Sequence, residues 1–203
     1  MAASLGHDDI CRVLLAAGHE DPCPALNEQH QTALMLAARA GQRGTAEILV
    51  EHDRTCLLRR DARGRDAIME AAAGGHDAVL QLLLTNVPGG ALEAVRRADL
   101  EGNTALHFAS SNGNLKVLRT LMAAGADVER RNHWNWVPAS YSATVQAEVY
   151  FKGLVTDVGR KQQQLRKESS AGLAPHAAPA VINVDPGKMT GGVRVVADNS
   201  DDD

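Results

Sequence analysis

The chain has 203 residues, enough for one domain or a short repeat array but not for several independent domains. Its 21 basic and 25 acidic residues leave a net charge of −4, too balanced for a surface built to grip nucleic acid or anionic lipid. No apolar run approaches the roughly 18 residues of a membrane span, and small and acidic residues follow Met1 where a secretory leader would be basic and then apolar.

Alanine is abundant, whereas aromatic residues are limited to Phe108, Trp134, Trp136, Tyr141, Tyr150 and Phe151. A core of alanine, leucine and valine favours close-packed helices over sheets, because alanine is the best helix former and is depleted in strands. Cys11, Cys23 and Cys56 match neither a disulfide framework nor zinc-ligand spacing, so no metal or cofactor is expected and the compartment reads as reducing and intracellular.

Taken in chain order, the segments repeat. The first, 1–24, is a partial copy: Ala2-Ala3-Ser-Leu-Gly6-His7, then Ile10-Cys11, Leu14-Leu15 and Gly18. A fuller copy begins near residue 27, with Thr32-Ala-Leu34-Met-Leu-Ala37-Ala38-Arg-Ala-Gly41 ending in Ile48-Leu49-Val50. A third begins near 61, with Asp66-Ala-Ile-Met-Glu-Ala71-Ala72-Ala-Gly-Gly75-His76 ending in Leu82-Leu83-Leu84. After a longer connection from Thr85 to Ala98 comes the copy near 99, Thr104-Ala-Leu-His107-Phe-Ala109-Ser-Ser-Asn-Gly113, ending in Val117-Leu118 and Leu121. The last begins near 132 and contains Val137-Pro138-Ala-Ser-Tyr141. Register marks at Thr32, Asp66, Thr104 and Val137 stand 34, 38 and 33 residues apart.

Each unit predicts two helices: an apolar start with a small Ala-Ala seam, a glycine stop, and a second apolar helix. Neither pair buries its faces alone, so neighbours must stack. The pattern resembles the ankyrin repeat, with a period near 33 residues and a T-P-L-H-x-A signature. The fold class expected is therefore all-α: an ankyrin-repeat solenoid over 1–157, a basic helix extension over 158–168, and a disordered tail over 169–203. Only Pro138 supplies the signature proline that presets a helix start. Gly6 aligns with the mid-repeat glycine, so most of the first helix would lie before Met1. The apolar residues Ile10, Val13 and Leu14 would then lack an upstream partner, which reads as truncation.

No catalytic constellation or phosphate loop is present, so an enzyme is not expected. The resemblance implies that His107 makes hydrogen bonds between neighbouring loops and that His7 and His76, after the mid-repeat glycines, are structural. It also implies a concave binding face presenting Leu36, Arg39, Glu70, Phe108, Ser111, Asn112 and Tyr141. Tyr150 and Phe151 are expected in the core, whereas Trp134 and Trp136 fall on a loop tip, where tryptophan is a strong interface anchor. Arginine doublets at Arg59-Arg60, Arg96-Arg97 and Arg130-Arg131 either line up as a basic ladder or are neutralised by Asp61, Asp99 and Glu129. The candidate partner-binding residues are accordingly Trp134, Trp136, Phe108, Tyr141, Arg96, Arg97, Arg130 and Arg131. Arg166-x-x-Ser169 has the form of a basophilic kinase site.

From Ala2 to about Val155 the chain also resembles the ankyrin-repeat accessory subunit of fungal TOR complex 2. The likeness rests on Gly18-His19, Gly102-Asn-Thr-Ala-Leu-His107, the inserted connection, and the cap Asn135-Trp136-Val-Pro138 with Tyr150. It implies a non-enzymatic subunit bound to a kinase core, cytoplasmic and held at the inner face of the plasma membrane through the complex. The alternative is an ankyrin-repeat regulator of a nuclear transcription or cell-cycle complex.

Overall fold

The computed structural model describes residues 1–19, 25–142, 148–157 and 159–160. Helices pair along the chain: α1 (Ala2–Leu5) with α2 (Asp8–Ala16), α3 (Ala33–Ala40) with α4 (Arg43–His52), and α5 (Ala67–Gly74) with α6 (Asp77–Asn86). A short helix, α7 (Ala91–Arg96), precedes the pair α8 (Ala105–Ser111) and α9 (Leu115–Ala123), and residues 148–157 are helical. Among the described residues there is no strand, only an isolated bridge between Ala98 and Thr104.

Local chemistry explains where the first helix of each pair starts and stops. Thr32 and Asp66 cap α3 and α5, their side-chain oxygens accepting from Met35 N at 3.3 Å and Met69 N at 2.9 Å. At the far end of α3, Gly41 turns left-handed with φ 76°. A Cβ there would also meet the His76 ring at 2.5 Å, so the position demands glycine twice over. The next residue in each repeat reaches back to the preceding one. Gln42 Nε2 donates to Ser4 O at 3.5 Å, His76 Nε2 pairs with Arg39 O at 3.0 Å, and Asn114 Nδ2 donates to Ala72 O at 3.4 Å. These side chains satisfy carbonyls that a helix end leaves open, which is the structural role expected of His76.

The first helices α1, α3, α5 and α8 pack on one another in a row, and α2, α4, α6 and α9 form a second row behind them. The Ala37-Ala38 and Ala71-Ala72 seams are fully buried, with Ala109 beside them, and their small side chains let the first helices lie close. Leu49, Leu80, Leu83, Leu118 and Leu121 fill the space between the rows. This is the all-α solenoid of stacked helix pairs expected from the sequence.

Several details differ from the expectations. The connection from Thr85 to Ala98 is not simply a longer loop, because it folds into α7 and buries Ala94 and Val95. Pro138 opens a 3-10 turn, Pro138–Tyr141, rather than an α-helix. Phe151 is buried as expected, but its neighbour Tyr150 is exposed, since adjacent helical positions point about 100° apart. Glu70 is not on an open face: it is buried between two arginines. At the other end, Ile10, Val13 and Leu14 are exposed on α2. Cys23, the basic extension beyond Arg160, the tail 169–203 and the Arg166–Ser169 motif lie outside the described residues.

Candidate interaction surface

Three loops lead into α3, α5 and α8 and a fourth into the Pro138–Tyr141 turn, and one side chain organises each. Asn27, Asp61, Asp99 and Asn132 sit five residues before Thr32, Asp66, Thr104 and Val137. Each carboxylate or amide oxygen accepts from the backbone N–H groups two and four residues on: Gln29 and Gln31, Arg63 and Arg65, Glu101 and Asn103, Trp134 and Trp136. The residue three beyond each hub is left-handed: His30, Gly64, Gly102 and Asn135, with φ between 60° and 82°. Successive loops are then tied by one backbone bond each: Ala62 N to Gln29 O, Leu100 N to Arg63 O, and His133 N to Glu101 O, all at 2.9–3.0 Å. Sequence reasoning missed these hubs, although an Asn or Asp at a constant offset from the register mark was there to be found.

The last loop carries the two tryptophans. Asn132 is itself buried, and besides accepting two backbone N–H bonds it donates through Nδ2 to Asn103 Oδ1 at 2.9 Å and to Tyr141 Oη at 2.7 Å. Around this anchor Trp134 and Trp136 stay 55% and 54% exposed. The Trp136 ring meets Tyr141 edge-on at 5.4 Å, and Tyr141 meets His107 edge-on at 5.6 Å. The aromatic tip is thus held by its backbone while its ring faces stay available.

His107 locks this loop to the repeat before it. Thr104 N–H donates to Nδ1 at 3.1 Å, so Nε2 carries the proton and donates to Trp136 O at 3.2 Å. Burial lowers its pKa from 6.5, with Arg130 acting in the same direction, while the bond to Trp136 and the charge of Asp99 pull the other way. The expected loop-bridging role of the signature histidine is what the geometry shows.

The arginine doublets do not act as units. Asp61 and Asp99 spend one oxygen each on loop amides, and none of Asp61, Asp99 and Glu129 pairs with a doublet. Arg60 Nη1 donates to Ala98 O at 3.1 Å and Arg131 Nη1 to Asn135 O at 2.9 Å, so both brace loops. Arg97 is drawn inward, with Nη1 3.9 Å from Asp66 Oδ2. Asp66 is fully buried, and desolvation raises its pKa despite the nearby charges of Arg97 and Arg60. Arg96 and Arg130 are exposed and line a common groove with Thr104 and Asp127.

On the first-helix row, Leu36 and Phe108 are half-buried, and Arg65 lies over the Phe108 ring at 4.6 Å. Ser111 donates to Phe108 O at 2.9 Å, and Asn112 is exposed with its amide bonded to Ala73 O at 2.7 Å. Tyr141 belongs to the aromatic tip. Among the described residues no group of His, Cys, Asp and Glu could hold a metal ion, and no helix is long and apolar enough to cross a membrane.

The sequence is similar to parts of several longer proteins. The chain is 31% identical to a transient receptor potential cation channel subfamily A member 1 homolog of Caenorhabditis elegans, over 65% of this chain and 13% of that protein. It is 32% identical to the nuclear factor NF-kappa-B p105 subunit of Rattus norvegicus, over 59% and 12%, and 30% identical to synphilin-1 of Mus musculus, over 66% and 14%. The matches thus span 12% to 14% of these relatives. A family model described as ankyrin repeats in three copies matches residues 1–60 and 54–132. With the paired helices, the left-handed glycine stops and the bridging loops, this match shows that the chain belongs to the ankyrin-repeat family, whose repeats are protein-interaction modules.

Proposed function

We propose that this protein is a non-enzymatic adapter that docks through the Trp134–Trp136 loop onto a larger assembly, and that the assembly is the TOR complex 2 kinase core. The observation that carries the adapter reading is the pair of indoles, each more than half exposed on a loop that Asn132 pins by four hydrogen bonds. Exposed aromatics on a pre-ordered backbone lose little entropy on binding, which is what interface anchors require. The narrower assignment is supported by the Asn135-Trp136-Val-Pro138 cap and by the order of repeats and insertion before it. It places the protein in the cytoplasm, at the inner face of the plasma membrane through the complex.

The test is affinity purification of the tagged chain from its native cells, followed by mass spectrometry. Recovery of the TOR complex 2 kinase supports the assignment, and recovery of a different assembly leaves an adapter with another partner. Trp136→Ala should weaken docking by about thirtyfold, the loss typical of an anchor residue. It should leave the helical signal unchanged, because Asn132 and His107 hold residue 136 by its backbone.

A second reading, a regulator of a nuclear transcription complex, draws on the 32% identity to the nuclear factor NF-kappa-B p105 subunit. A fluorescent tag separates the two, since an exclusively nuclear signal is incompatible with a plasma-membrane kinase complex.

A further inference from the structure

The connection from Thr85 to Ala98 is longer than its counterparts, and the helix it forms helps to wall a recess of about 430 Å³. Val95 and Arg96 come from the end of α7, Gly125 and Asp127 from the turn after α9, Arg130 from the approach to the last loop, and Thr104 from the cap of α8. No loop tip and no residue from the body of a first helix lines it. Gly125, left-handed at φ 91°, lets α7 come close, because a Cβ there would run into Leu92 Cδ1 at 2.8 Å.

The charges around this recess are Arg96, Arg130 and Asp127, a net +1. Arg60, Arg97 and Arg131 are committed to protein acceptors, whereas Arg96 and Arg130 are exposed with no ion pair or hydrogen bond among the described residues. Asp127 is turned to its own loop, its Oδ1 accepting from Glu129 N at 2.9 Å. Two guanidinium groups from different repeats thus address one space, and their mutual repulsion falls when an anion enters. Geometry selects among anions. A planar carboxylate has two oxygens and is satisfied by one guanidinium fork. A phosphate monoester carries three terminal oxygens and a charge of about −2, enough for both arginines. A membrane is a poorer match, since anionic lipid is held by clusters of about four or more basic residues. Free phosphate would fill only part of the volume and leave the exposed Leu92 beside Gly125 untouched, whereas a phosphorylated side chain brings a peptide with it.

We propose that this recess binds a phosphorylated serine or threonine in an extended segment of a partner protein, its phosphate shared between Arg96 and Arg130. The inference rests on the adapter reading but not on the tryptophan loop or on the kinase assignment. Burial is the main cause of the lowered pKa of His107, and the charge of Arg130 adds to it, so a bound dianion should move it back up.

The experiment is fluorescence anisotropy of the full chain with a labelled pool of ten-residue peptides, phosphoserine fixed at the fifth position and the other positions degenerate. Parallel pools carry serine or glutamate at that position. The phosphoserine pool should bind at least about tenfold more tightly than the serine pool and about threefold more tightly than the glutamate pool, and added salt should weaken it. Arg96→Ala and Arg130→Ala should each reduce affinity by about fivefold, the upper end for exposed charge pairs. Arg59→Ala, which removes an exposed arginine outside the recess, should change nothing. Asp127→Asn keeps an oxygen for Glu129 N and removes the opposing charge, so it should tighten binding by about twofold, a gain that an unfolded protein would not give. In nuclear magnetic resonance titrations, the His107 midpoint should rise when the pool saturates the native protein and stay in place in Arg130→Ala. Absence of binding, or equal binding of the phosphoserine and serine pools, overturns the proposal without touching the adapter reading, which the Trp136→Ala purification tests separately. Equal binding of the glutamate pool overturns the phosphate assignment. Displacement by inorganic phosphate at the concentration of the pool, or by phosphoinositide vesicles, overturns the peptide source, and insensitivity to both arginine variants overturns the location.

Discussion

Replacing Asn132 with alanine removes four hydrogen bonds at once: those to Asn103 and Tyr141, and those from the amides of Trp134 and Trp136. At a net contribution of about 0.5–1.5 kcal/mol each, the loss is roughly 2–6 kcal/mol, with the lower part favoured because water can reach the exposed loop amides. In a repeat array this loss falls mainly on the unit that holds Asn132 and on the repeat it contacts rather than on the whole chain. The two tryptophans are the only ones in the protein, and both sit in this loop, so indole emission reports the cap while far-ultraviolet circular dichroism reports the array. In Asn132→Ala the emission should change at a distinctly lower temperature than the ellipticity. Asn132→Asp, which copies the hubs Asp61 and Asp99, keeps both amide bonds but gives up the two donated through Nδ2, so it should lose less than the alanine variant, about 1–3 kcal/mol. Coincident transitions at the native temperature in the alanine variant would refute the idea that this side chain holds the cap.

Three further outcomes are expected. His30 occupies the left-handed position that Gly64 and Gly102 fill in the next two loops, so His30→Gly should raise stability by about 0.5–1 kcal/mol in chemical denaturation, and His30→Ala should not. Because the folded pKa of His107 is depressed, its contribution is present above about pH 6.5 and is lost as pH falls through the folded value. The tryptophan-monitored melting temperature should therefore drop between about pH 7.5 and about pH 5, and His107→Gln should flatten that slope. Asp66 behaves in the opposite sense. Its raised folded pKa means its contribution is greatest below the ordinary value of 3.8 and is lost as pH rises. Asp66→Asn keeps an oxygen for Met69 N and should stabilise the protein by about 1 kcal/mol at neutral pH, an advantage that fades towards pH 3. A neutral-pH loss would mean that the Arg97 contact outweighs the desolvation of the charge.

Much of the surface chemistry was legible only in part. Trp134 and Trp136 could be placed on a loop tip from register, because an offset from a repeat mark carries over between copies. That their loop is rigid could not be read, since its rigidity comes from Asn132 meeting Asn103 across the 29 positions between repeats. The arginine doublets show the limit most clearly. Six residues with one chemistry, each six to eight positions before a register mark, end in different roles: Arg60 and Arg131 brace carbonyls, Arg97 turns towards Asp66, and Arg59, Arg96 and Arg130 stay in solvent. The long, flexible arginine side chain reaches whichever acceptor a neighbouring repeat brings near, and that acceptor is not encoded in the doublet itself.

The helix pairs, the alanine seams and the left-handed stops at glycine follow from the sequence alone. They depend on residues within one turn or one hairpin of each other, and each pattern is written several times over, as in Ala37-Ala38, Ala71-Ala72, Gly41 and Gly75. Which polar groups meet was decided only by tertiary structure. Glu70 looks like a surface residue beside the helical pattern, yet stacking of α3 on α5 and the adjoining loop closes Arg39 and Arg65 over it. Burial is a property of what the neighbouring repeats cover, and a residue's own segment does not contain that information.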